Sequence, residues 1–358
     1  MTRARDGFAT VQRGTHHRSA SLRAASCVPS LLAVQAMPVA LAGQDDSVRV
    51  RVVDVGPGLC TVTRVPGGHY MVYDAGHWSG RHCINAVRSL VQGSVIDLLI
   101  ISHNDSDHLG DGPLILGEYT VNHIIWTGYV RDTGTWLTLN DAVAEEVRGA
   151  GATVRTLRTA PLTPGEQLRL GDAVVTLVAG WGDWTAAGPT ASEKRNAISI
   201  VVRLDYGESS VLYAGDTVGR RRDDPDSACK DAELIMVQNH DTNSVSIDAD
   251  VIIAPHHGGN NGSSTCFIQR VSPRIVVFSA GHDHEHPTAA AAQRYLNQGV
   301  HRDSIFRTDR GDDEPGLFEW KQGRVPGCSA RRGFSDVEIA LPRTGRIKPR
   351  YVRLQGGC

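Results

Sequence analysis

Residues 102–111 read SHNDSDHLGD, and this stretch follows the apolar run VIDLLII at 95–101. Two histidines and three aspartates therefore come directly after a segment typical of a buried β-strand. Imidazole and carboxylate groups that fan out around such a tight loop can converge on two cations. The alternative is a polar loop with a helix N-cap, because aspartate and asparagine favour that position. The complete pattern HNDSDH favours the metal site.

Three later clusters have the same setting, each at the end of an apolar run. LYAGD ends at Asp216, IIAPHHGG carries His256 and His257, and FSAGHDHEHP carries His286. Polar side chains gathered at the same ends of successive strands are what a shared site between two sheets requires. The order of the four clusters therefore predicts one site built from distant parts of the chain.

The rest of the pattern predicts an α/β (α+β) protein. β-Branched runs at 48–55, 61–66 and 69–76 favour an antiparallel start, and helical spacing occurs at 82–92, 138–149 and 288–298. The chain has 358 residues, 41% of them hydrophobic, which is enough for a two-sided core. Two strand-rich halves that each carry helices predict a four-layer αββα sandwich.

Three regions are expected along the chain. Residues 1–47 form a leader, residues 48–322 form the main domain, and residues 323–358 form a basic C-terminal extension. Within the main domain, the segment 219–247 is rich in Arg and Asp and is predicted to be an irregular insertion. No run of 18 or more uninterrupted apolar residues occurs, so no membrane span is predicted.

The leader has the parts of a secretory signal: arginines, then a weakly apolar run, then ALA at 40–42. Gln35 and Pro38 interrupt the apolar run, and a disordered arm is the alternative. Of seven cysteines, cleavage after Ala42 would remove Cys27 and leave six, an even number that suits pairing in an oxidising compartment. We therefore expect a periplasmic or secreted protein, with a cytoplasmic one as the alternative.

The motifs, taken in order, resemble the metallo-β-lactamase superfamily and, within it, the soluble hydrolase domain of the ComEC competence proteins. The segments that carry the resemblance are VVDVGPGLCTVTRVPGGHYMVYDAG (52–76), SHNDSDHLGD (102–111), RNAISIVVRLDYGESSVLYAGD (195–216), ADVIIAPHHGGNNGSS (249–264), RIVVFSAGHDHEHP (274–287) and IFRTDRGDDEPGLFEW (305–320). The resemblance covers roughly residues 48–320. It implies the metallo-β-lactamase αββα sandwich and a dinuclear metal centre.

The metal ligands that the resemblance implies are His103, Asp105, Asp107, His108, Asp216 and His256. His103 and Asp105 would hold the first cation, and Asp107 and His108 the second, with Asp216 between them. One histidine of the pair 256–257 would complete the ligands of the second cation, and we favour His256. Asn196 stands where many relatives have a further metal histidine, and Asp54 and Asp74 match acidic positions expected to support the ligands.

Two divalent ions can activate a shared hydroxide and stabilise charge on a phosphoryl oxygen. Asp107 could also orient the nucleophile, and His257 or His286 could protonate the leaving oxygen. Three carboxylates among six ligands favour Mn²⁺, with Zn²⁺ as the alternative. The resemblance to ComEC points to DNA, so we expect a metal-dependent nuclease, or a phosphodiesterase acting on a smaller phosphodiester.

Two other functions remain open. Hydrolysis of a small ester, lactone or amide would be favoured by aromatic residues in the pocket, for which Trp126, Trp181 and Trp184 are candidates. A binding module that keeps the fold without turnover is the non-enzymatic alternative. The formal net charge of −2 argues against broad electrostatic binding of nucleic acid but leaves room for a local basic groove. The run Arg220–Arg222 could contact phosphate or form a solvated face.

Overall fold

A computed structural model of the protein describes residues 46–158, 162–180, 191–281, 286–308 and 336–352. Within these ranges, fifteen strands form two sheets and eight α-helices accompany them. The strands, in chain order, are β1 (Ser47–Val52), β2 (Cys60–Val65), β3 (His69–Ala75), β4 (Val95–Ile100), β5 (Thr120–Trp126), β6 (Thr153–Thr156), β7 (Gln167–Leu170), β8 (Ala173–Ala179), β9 (Val201–Tyr206), β10 (Ser209–Tyr213), β11 (Val251–Ile253), β12 (Ile275–Phe278), β13 (Ile305–Arg307), β14 (Asp336–Pro342) and β15 (Lys348–Val352). The helices are α1 (His82–Leu90), α2 (Ser106–Leu109), α3 (Gly112–Glu118), α4 (Gly134–Ala150), α5 (Ala191–Ala197), α6 (Asp231–Asp241), α7 (Thr265–Val271) and α8 (Ala289–Asn297).

The strand order explains why distant segments can share one site. The first sheet runs β15-β14-β1-β2-β3-β4-β5-β6, and the second runs β13-β12-β11-β10-β9-β8-β7. β1, β2 and β3 pair antiparallel, as predicted. β3 to β6 are parallel to one another, and so are β10 to β13. Loops that follow parallel strands leave the sheet at the same edge, so the polar clusters after β4, β10 and β11 are delivered to the ends of their sheets.

β3 shows how one strand contributes to two layers of side chains. Met71 and Tyr73 lie in the core between the two sheets, whereas Tyr70 and Val72 lie in the core beneath the helices of the first sheet. Successive side chains of a strand point to opposite faces, and here both faces are covered. This is why the strand is apolar throughout and does not alternate between apolar and polar residues.

Helices cover the outer face of each sheet. α1, α3 and α4 contribute Ile84, Ile115 and Leu139 to the outer core of the first sheet. α6, α7 and α8 contribute Met236, Phe267 and Tyr295 to the outer core of the second. The molecule therefore has helix, sheet, sheet and helix layers, and the predicted four-layer αββα sandwich is confirmed.

Two segments differ from their expected structure. The segment 219–247, predicted to be irregular, contains α6, and Met236 and Val237 of that helix are buried in the core. Within the predicted C-terminal extension, β14 pairs antiparallel with β1 from Ser47↔Pro342 to Val52↔Val337. Alternate residues of β14 enter the core between the sheets, so this strand is an integral part of the first sheet.

Two disulfides are present in the described part of the chain. Cys60–Cys83 joins β2 to α1, and Cys229–Cys266 joins the segment 219–247 to α7. The first disulfide thus fixes a helix to the first sheet, and the second fixes the segment 219–247 to a helix over the second sheet. None of the helices in the described ranges combines the length and the apolar character that crossing a membrane requires.

Candidate metal centre

The first ligand loop, residues 102–108, leaves the end of β4 and turns into the short helix α2. Asp105 occupies the N-cap position of α2, but its side chain makes no capping hydrogen bond. Its carboxylate instead contacts the guanidinium groups of Arg131 and Arg195. The alternative interpretation of this stretch, a polar loop that only caps a helix, is therefore not what the structure shows for Asp105.

The second ligand loop, residues 255–264, follows β11 and begins with a short 3₁₀ turn over Pro255–Gly258. His256 and His257 lie in this turn with positive φ angles of 49° and 54°. A non-glycine residue in this left-handed region costs on the order of 1–3 kcal/mol and persists only when the surroundings enforce it. Two successive residues of this kind turn their imidazoles towards the ends of the sheets.

One group of donor atoms, here called the second donor group, consists of Asp107, His108, Asp216 and His257. Oδ1 of Asp216 is 3.3 Å from Nε2 of His108 and 3.3 Å from Nε2 of His257. Oδ2 of Asp107 is 3.6 Å from Nε2 of His257 and 3.8 Å from Nε2 of His108. Donor atoms of Asp107, His108 and His257 all lie within 4.8 Å of one another, a separation that one cation can span.

A neighbouring set, the first donor group, consists of His103, Asp105 and Asp216. Nε2 of His103 is 3.8 Å from Oδ2 of Asp216 and 4.0 Å from Oδ2 of Asp105. Asp216 thus presents Oδ1 to the second group and Oδ2 to the first. A single carboxylate between two donor sets is the arrangement that a bridging ligand requires.

The two histidines of the second ligand loop have different surroundings. Nδ1 of His257 is 2.8 Å from the carbonyl oxygen of Ser279, which leaves Nε2 facing Asp216. His256 has an amide at each ring nitrogen: Nδ1 is 2.6 Å from Oδ1 of Asn261, and Nε2 is 3.2 Å from Nδ2 of Asn196. Nε2 of His256 is also 3.9 Å from Oδ2 of Asp216. The position expected for His256 in the second group is occupied here by His257.

Three observations indicate that these donor atoms are suited to binding cations. First, Nε2 of His103 and Oδ1 of Asp216 are buried and make no hydrogen bond within the described part of the chain. Second, burial raises the pKa of the Asp216 carboxyl, but His257 and His108 lower it far more, to well below its ordinary range. Third, burial lowers the pKa of His257, but the carboxylates of Asp216 and Asp107 raise it to about 10. Buried carboxylates that hold protons on neighbouring imidazoles can hold cations in their place.

Side chains outside the donor groups orient the first ligand loop. Oδ2 of Asp74 is 2.7 Å from Nδ1 of His108 and accepts a hydrogen bond from the Ser102 hydroxyl. Oδ1 of Asp74 accepts a hydrogen bond from the backbone N–H of Ser102. A carboxylate on the remote nitrogen of a ligating histidine fixes the tautomer and strengthens the ligand. Asp54 instead accepts a hydrogen bond from the N–H of Gly56 and stands outside both donor groups.

The second ligand loop is held by buried charged residues from more distant elements. The Glu233 carboxylate of α6 accepts hydrogen bonds from the N–H groups of Ser263 and Ser264 and from the Ser264 hydroxyl. The guanidinium of Arg294, on α8, donates to the carbonyl oxygens of Ser263 and Gly262. Burial raises the pKa of Glu233 to about 6. Sequence reasoning missed this network, because nothing local in the sequence links α6 to the loop.

The run Arg220–Arg222, for which a phosphate contact and a solvated face were both considered, has a structural role at two of its positions. Arg220 is buried and donates to the carbonyl oxygen and side-chain oxygen of Asn260 in the second ligand loop. Arg221 pairs with Asp231 at the start of α6. Arg220 therefore supports the second ligand loop, whereas Arg221 holds the segment 219–247 to its own helix.

A cavity of about 510 Å³ opens over the donor groups. Its lining includes Asp107, Asp216, His286, Arg131 and Trp78. The three groups predicted to be catalytic, Asp107, His257 and His286, all line this cavity. The centroid of the His286 ring lies 5.6 Å from that of His256 and 6.4 Å from that of His257. Trp126 is absent from this lining and packs against Trp136 in the helix-side core. Trp181 and Trp184 lie outside the described residues.

Comparison with known proteins agrees with this arrangement. A family model for the Metallo-beta-lactamase superfamily matches residues 53–282. The chain is similar to ComE operon protein 3 of Bacillus subtilis, with 24% identity over 218 residues, which is 60% of this chain and 24% of that protein. It is 25% identical to Competence protein ComA of Neisseria gonorrhoeae over 269 residues, 74% of this chain and 31% of that protein. The chain therefore spans about a quarter to a third of the length of these relatives.

Among solved structures, the chain is similar to Igni18, described as a novel metallo hydrolase from the archaeon Ignicoccus hospitalis. The TM-score is 0.43 at 12% sequence identity, over 72% of this chain and 94% of that one.

Proposed function

The chain belongs to the metallo-beta-lactamase superfamily, and from this premise we propose that it is a metal-dependent phosphodiesterase that cleaves nucleic acid, with DNA as the expected substrate. One observation carries the proposal: the Asp216 carboxylate faces His108 and His257 with one oxygen and His103 with the other. The resemblance to ComEC competence proteins favours DNA over a small ester, lactone or amide. The position of Trp126 in the core removes one of the aromatic residues that would have supported a small-molecule pocket.

The first and second donor groups would each hold one divalent ion. Such a pair supplies Lewis-acid chemistry, since it lowers the pKa of water and stabilises negative charge on a phosphoryl oxygen. Carboxylate oxygens are a large share of the donors, which favours Mn²⁺ over Zn²⁺. We assign the fourth position of the second donor group to His257, because both ring nitrogens of His256 face amides.

The residues around the ions would position the substrate and move the proton. Asp107 lies at the edge of the cavity, where its carboxylate can orient the attacking water. His286 lines the same cavity without belonging to either donor group, so its imidazole is placed to protonate the leaving oxygen. Asp74 and Ser102 keep His108 in one orientation throughout.

The proposal is tested with the purified full chain and end-labelled single- and double-stranded DNA, in Mn²⁺ or Zn²⁺. Asp107→Asn removes a carboxylate from the second donor group, whereas Asp303→Asn changes an aspartate whose side chain is 73% exposed and does not line the cavity. We expect metal-dependent cleavage by the wild type and by Asp303→Asn, with a loss of at least about 100-fold in Asp107→Asn.

Bound metal is counted in each protein by inductively coupled plasma mass spectrometry. Wild-type protein that binds two ions but cuts no nucleic acid would contradict the nuclease and leave hydrolysis of a small ester, lactone or amide. Protein that binds no divalent ion would favour a binding module without turnover.

We also propose that the protein acts outside the cytoplasm, in the periplasm or after secretion. Cys60–Cys83 and Cys229–Cys266 support this, because disulfides persist in oxidising compartments. The test is to purify the protein from its source, determine its N-terminal residue and count free thiols before and after reduction. A start near residue 43 with both disulfides intact is expected; an uncleaved leader with reduced cysteines would contradict export.

A further inference from the structure

The first sheet has a basic outer face at the edge formed by β15. Four strands lie side by side there, in the order β15, β14, β1 and β2, and their inward residues pack into the core between the sheets. The basic face is defined by the outward cations of β15, β1 and β2 and by one cation of the turn before β15, which are Arg49, Arg51, Arg64, Arg346, Lys348 and Arg350. The outward carboxylates of the four strands are Asp336 and Glu338. Six cations and two carboxylates give this face a net charge of +4, whereas the whole chain has −2.

One row of the basic face places like charges opposite one another. Arg49 on β1 is in register with Arg64 on β2 and with Ala340 on β14. Ala340 is in turn in register with Lys348 on β15. Neighbouring strands lie about 4.8 Å apart, so this row has three cations across four strands and no carboxylate. Like charges directly opposite each other destabilise a sheet. The row therefore costs stability in the free protein, and a bound polyanion would remove that cost.

The two carboxylates of the basic face lie beneath its arginines. The side chain of Glu338 is 7% exposed and contacts three guanidinium groups, those of Arg49, Arg51 and Arg350. Asp336 pairs with Arg51, and its side chain is fully buried. The side chain of Arg350, in contrast, is 64% exposed. A ligand that approaches from solvent therefore meets guanidinium groups before it meets a carboxylate.

A depression of about 390 Å³ lies on the basic face. Its charged lining residues are Arg49, Arg346, Lys348 and Arg350, and no acidic side chain of the described residues lines it. Arg346 and Lys348 are exposed, and neither forms an ion pair with a carboxylate in the part of the chain that the structure describes. Guanidinium groups match the oxygens of a phosphate in pairs, and an ammonium group binds phosphate as a point charge. The depression therefore suits a chain of phosphates.

The basic face and the donor groups lie towards opposite ends of β1. Ser47, at the start of β1, lines the depression. Val52, at its end, is in register with Thr61, and the N–H of Leu59 just before that strand donates to the carbonyl oxygen of Asp107. A strand advances about 3.3 Å per residue, so the depression lies on the order of 20 Å from the donor groups. A duplex covers this distance in about six base pairs. A long nucleic acid can therefore occupy both places at once.

From the row of like charges and the depression, we infer that the basic face binds the sugar–phosphate backbone of a long nucleic acid and anchors it outside the cavity. This inference rests on the proposed function, which selects nucleic acid among linear polyanions, and adds a second place of attachment to it. The contacts are to phosphates, which carry no sequence information, so the anchor has no base preference.

An anionic membrane is the other polyanion that a basic face could meet. Surfaces that lie on membranes present large apolar side chains to the acyl boundary. The exposed large apolar residues of the described ranges are Trp78, Val95, Val130, Leu137 and Val147, and none of them belongs to the four strands of this face. The binding region is also a depression, whereas a bilayer is flat. Both features favour nucleic acid.

The test begins with binding, measured apart from cleavage. A fluorescein-labelled duplex of thirty base pairs, whose paired bases leave mainly its backbone exposed, is titrated with the full chain in EDTA at several salt concentrations. Replacing both Arg346 and Lys348 by Gln should lower the slope of log Kd against log salt by about 1.8, or about 0.9 for each phosphate no longer neutralised. If the two lines meet at 1 M salt, this raises Kd about 60-fold at 0.1 M.

Two control variants separate the position of the charge from its amount. Replacing both Arg148 and Arg169 by Gln removes two exposed charges on α4 and β7 and should leave the slope unchanged. Exchanging Arg346 for Lys and Lys348 for Arg keeps both charges and should keep wild-type binding. Circular dichroism of each variant confirms that it is folded.

Cleavage gives a second readout. In Mn²⁺, the Gln variant of Arg346 and Lys348 should raise the KM for the long duplex by a factor similar to that in Kd, with the kcat retained. Its KM for bis(4-nitrophenyl) phosphate should rise much less, because this small ester cannot reach from the cavity to the basic face.

The outcomes separate this inference from the proposed function. Wild-type protein that binds the duplex through Arg346 and Lys348 but cuts no nucleic acid would overturn the nuclease and keep the anchor. Protein that cuts DNA, with the same salt slope and KM in the Gln variant, would overturn the anchor and keep the nuclease. Sedimentation with phosphatidylglycerol vesicles that depends on both residues, with duplex binding unaffected by them, would overturn the anchor in favour of a membrane.

Discussion

The two ligand loops reach the same cavity but are held in different ways. The first, residues 102–108, is oriented by Asp74 on the adjacent strand β3, through bonds to Ser102 and His108. The second, residues 255–264, depends on Glu233 of α6 and Arg294 of α8, which bind its backbone from outside the sheet. The first loop is therefore oriented from within its own sheet, whereas the second is held in place by buried charged side chains on two helices. This difference predicts different responses to substitution.

The largest effect is expected within the second loop, at its two histidines. In the proposed nuclease, His257→Ala should lower nucleic-acid hydrolysis by about 10³-fold or more, because it would remove a ligand from a metal centre of the kind that supplies several kcal/mol of transition-state stabilisation. His256→Ala should lower it less than about 10-fold, since both its ring nitrogens face amides. Initial rates in Mn²⁺ and the number of bound ions measure both effects. Equal losses in the two variants would show that the two histidines share the role.

Glu233→Ala tests whether buried charge holds the second loop. The change leaves two backbone N–H groups and one hydroxyl without their acceptor. Unpaired buried donors cost about 1–3 kcal/mol each before water or relaxation reduces the loss. We expect the free energy of unfolding in urea to fall by roughly 3 kcal/mol, with Glu118→Ala, at the exposed Arg88 pair, changing it by less than about 1 kcal/mol. A loss no larger than that of the control would mean that the loop holds itself.

Asp74→Asn is the matching test of the first loop. The amide keeps the shape of the carboxylate but loses the charge that orients His108. Removing such a partner typically weakens metal binding about 10- to 100-fold. Isothermal titration with Mn²⁺ should show this loss, whereas Asp97→Asn, on the neighbouring strand β4 and bonded to Tyr70 and His69, should bind normally. An equal loss in both variants would point to a general effect of the sheet.

The smallest effect concerns the pH dependence of stability. The pKa of Glu233 is raised by burial from 4.5 to about 6, so its contribution to stability is complete below pH 4.5 and is lost as the pH rises through 6. The loss is about 2 kcal/mol. Denaturation of the wild type and Glu233→Gln between pH 4.5 and 7.5 should show their difference in stability shifting by this amount. A constant difference would mean that Glu233 titrates normally.

The first loop could be predicted from the sequence because its evidence is local. The apolar run of β4 and the polar residues after it are adjacent, so strand and site are visible in one short window. Asp216 could be predicted in the same way, because it closely follows the apolar run of β10. The core between the sheets and the two outer cores also follow from β-branched runs that are apolar on both faces.

The second loop could be predicted only in part. The pair His256–His257 was visible, but its left-handed backbone decides which imidazole meets Oδ1 of Asp216, and no rule for non-glycine residues predicts that backbone. Glu233 and Arg294 are 61 positions apart and meet only through the loop between them in space.

Asp216 also has a consequence for the order of events in folding. It enters the cavity from the second sheet, whereas His103 and His108 enter from the first, so neither sheet alone presents a complete set of donors. In the proposed metal-dependent enzyme, cations would therefore find a complete set of donors only in chains whose sheets have already packed together. By mass action they would slow the separation of the sheets without speeding the formation of either one. Binding of metal would then stabilise the fold after it has assembled and would not be needed for its assembly.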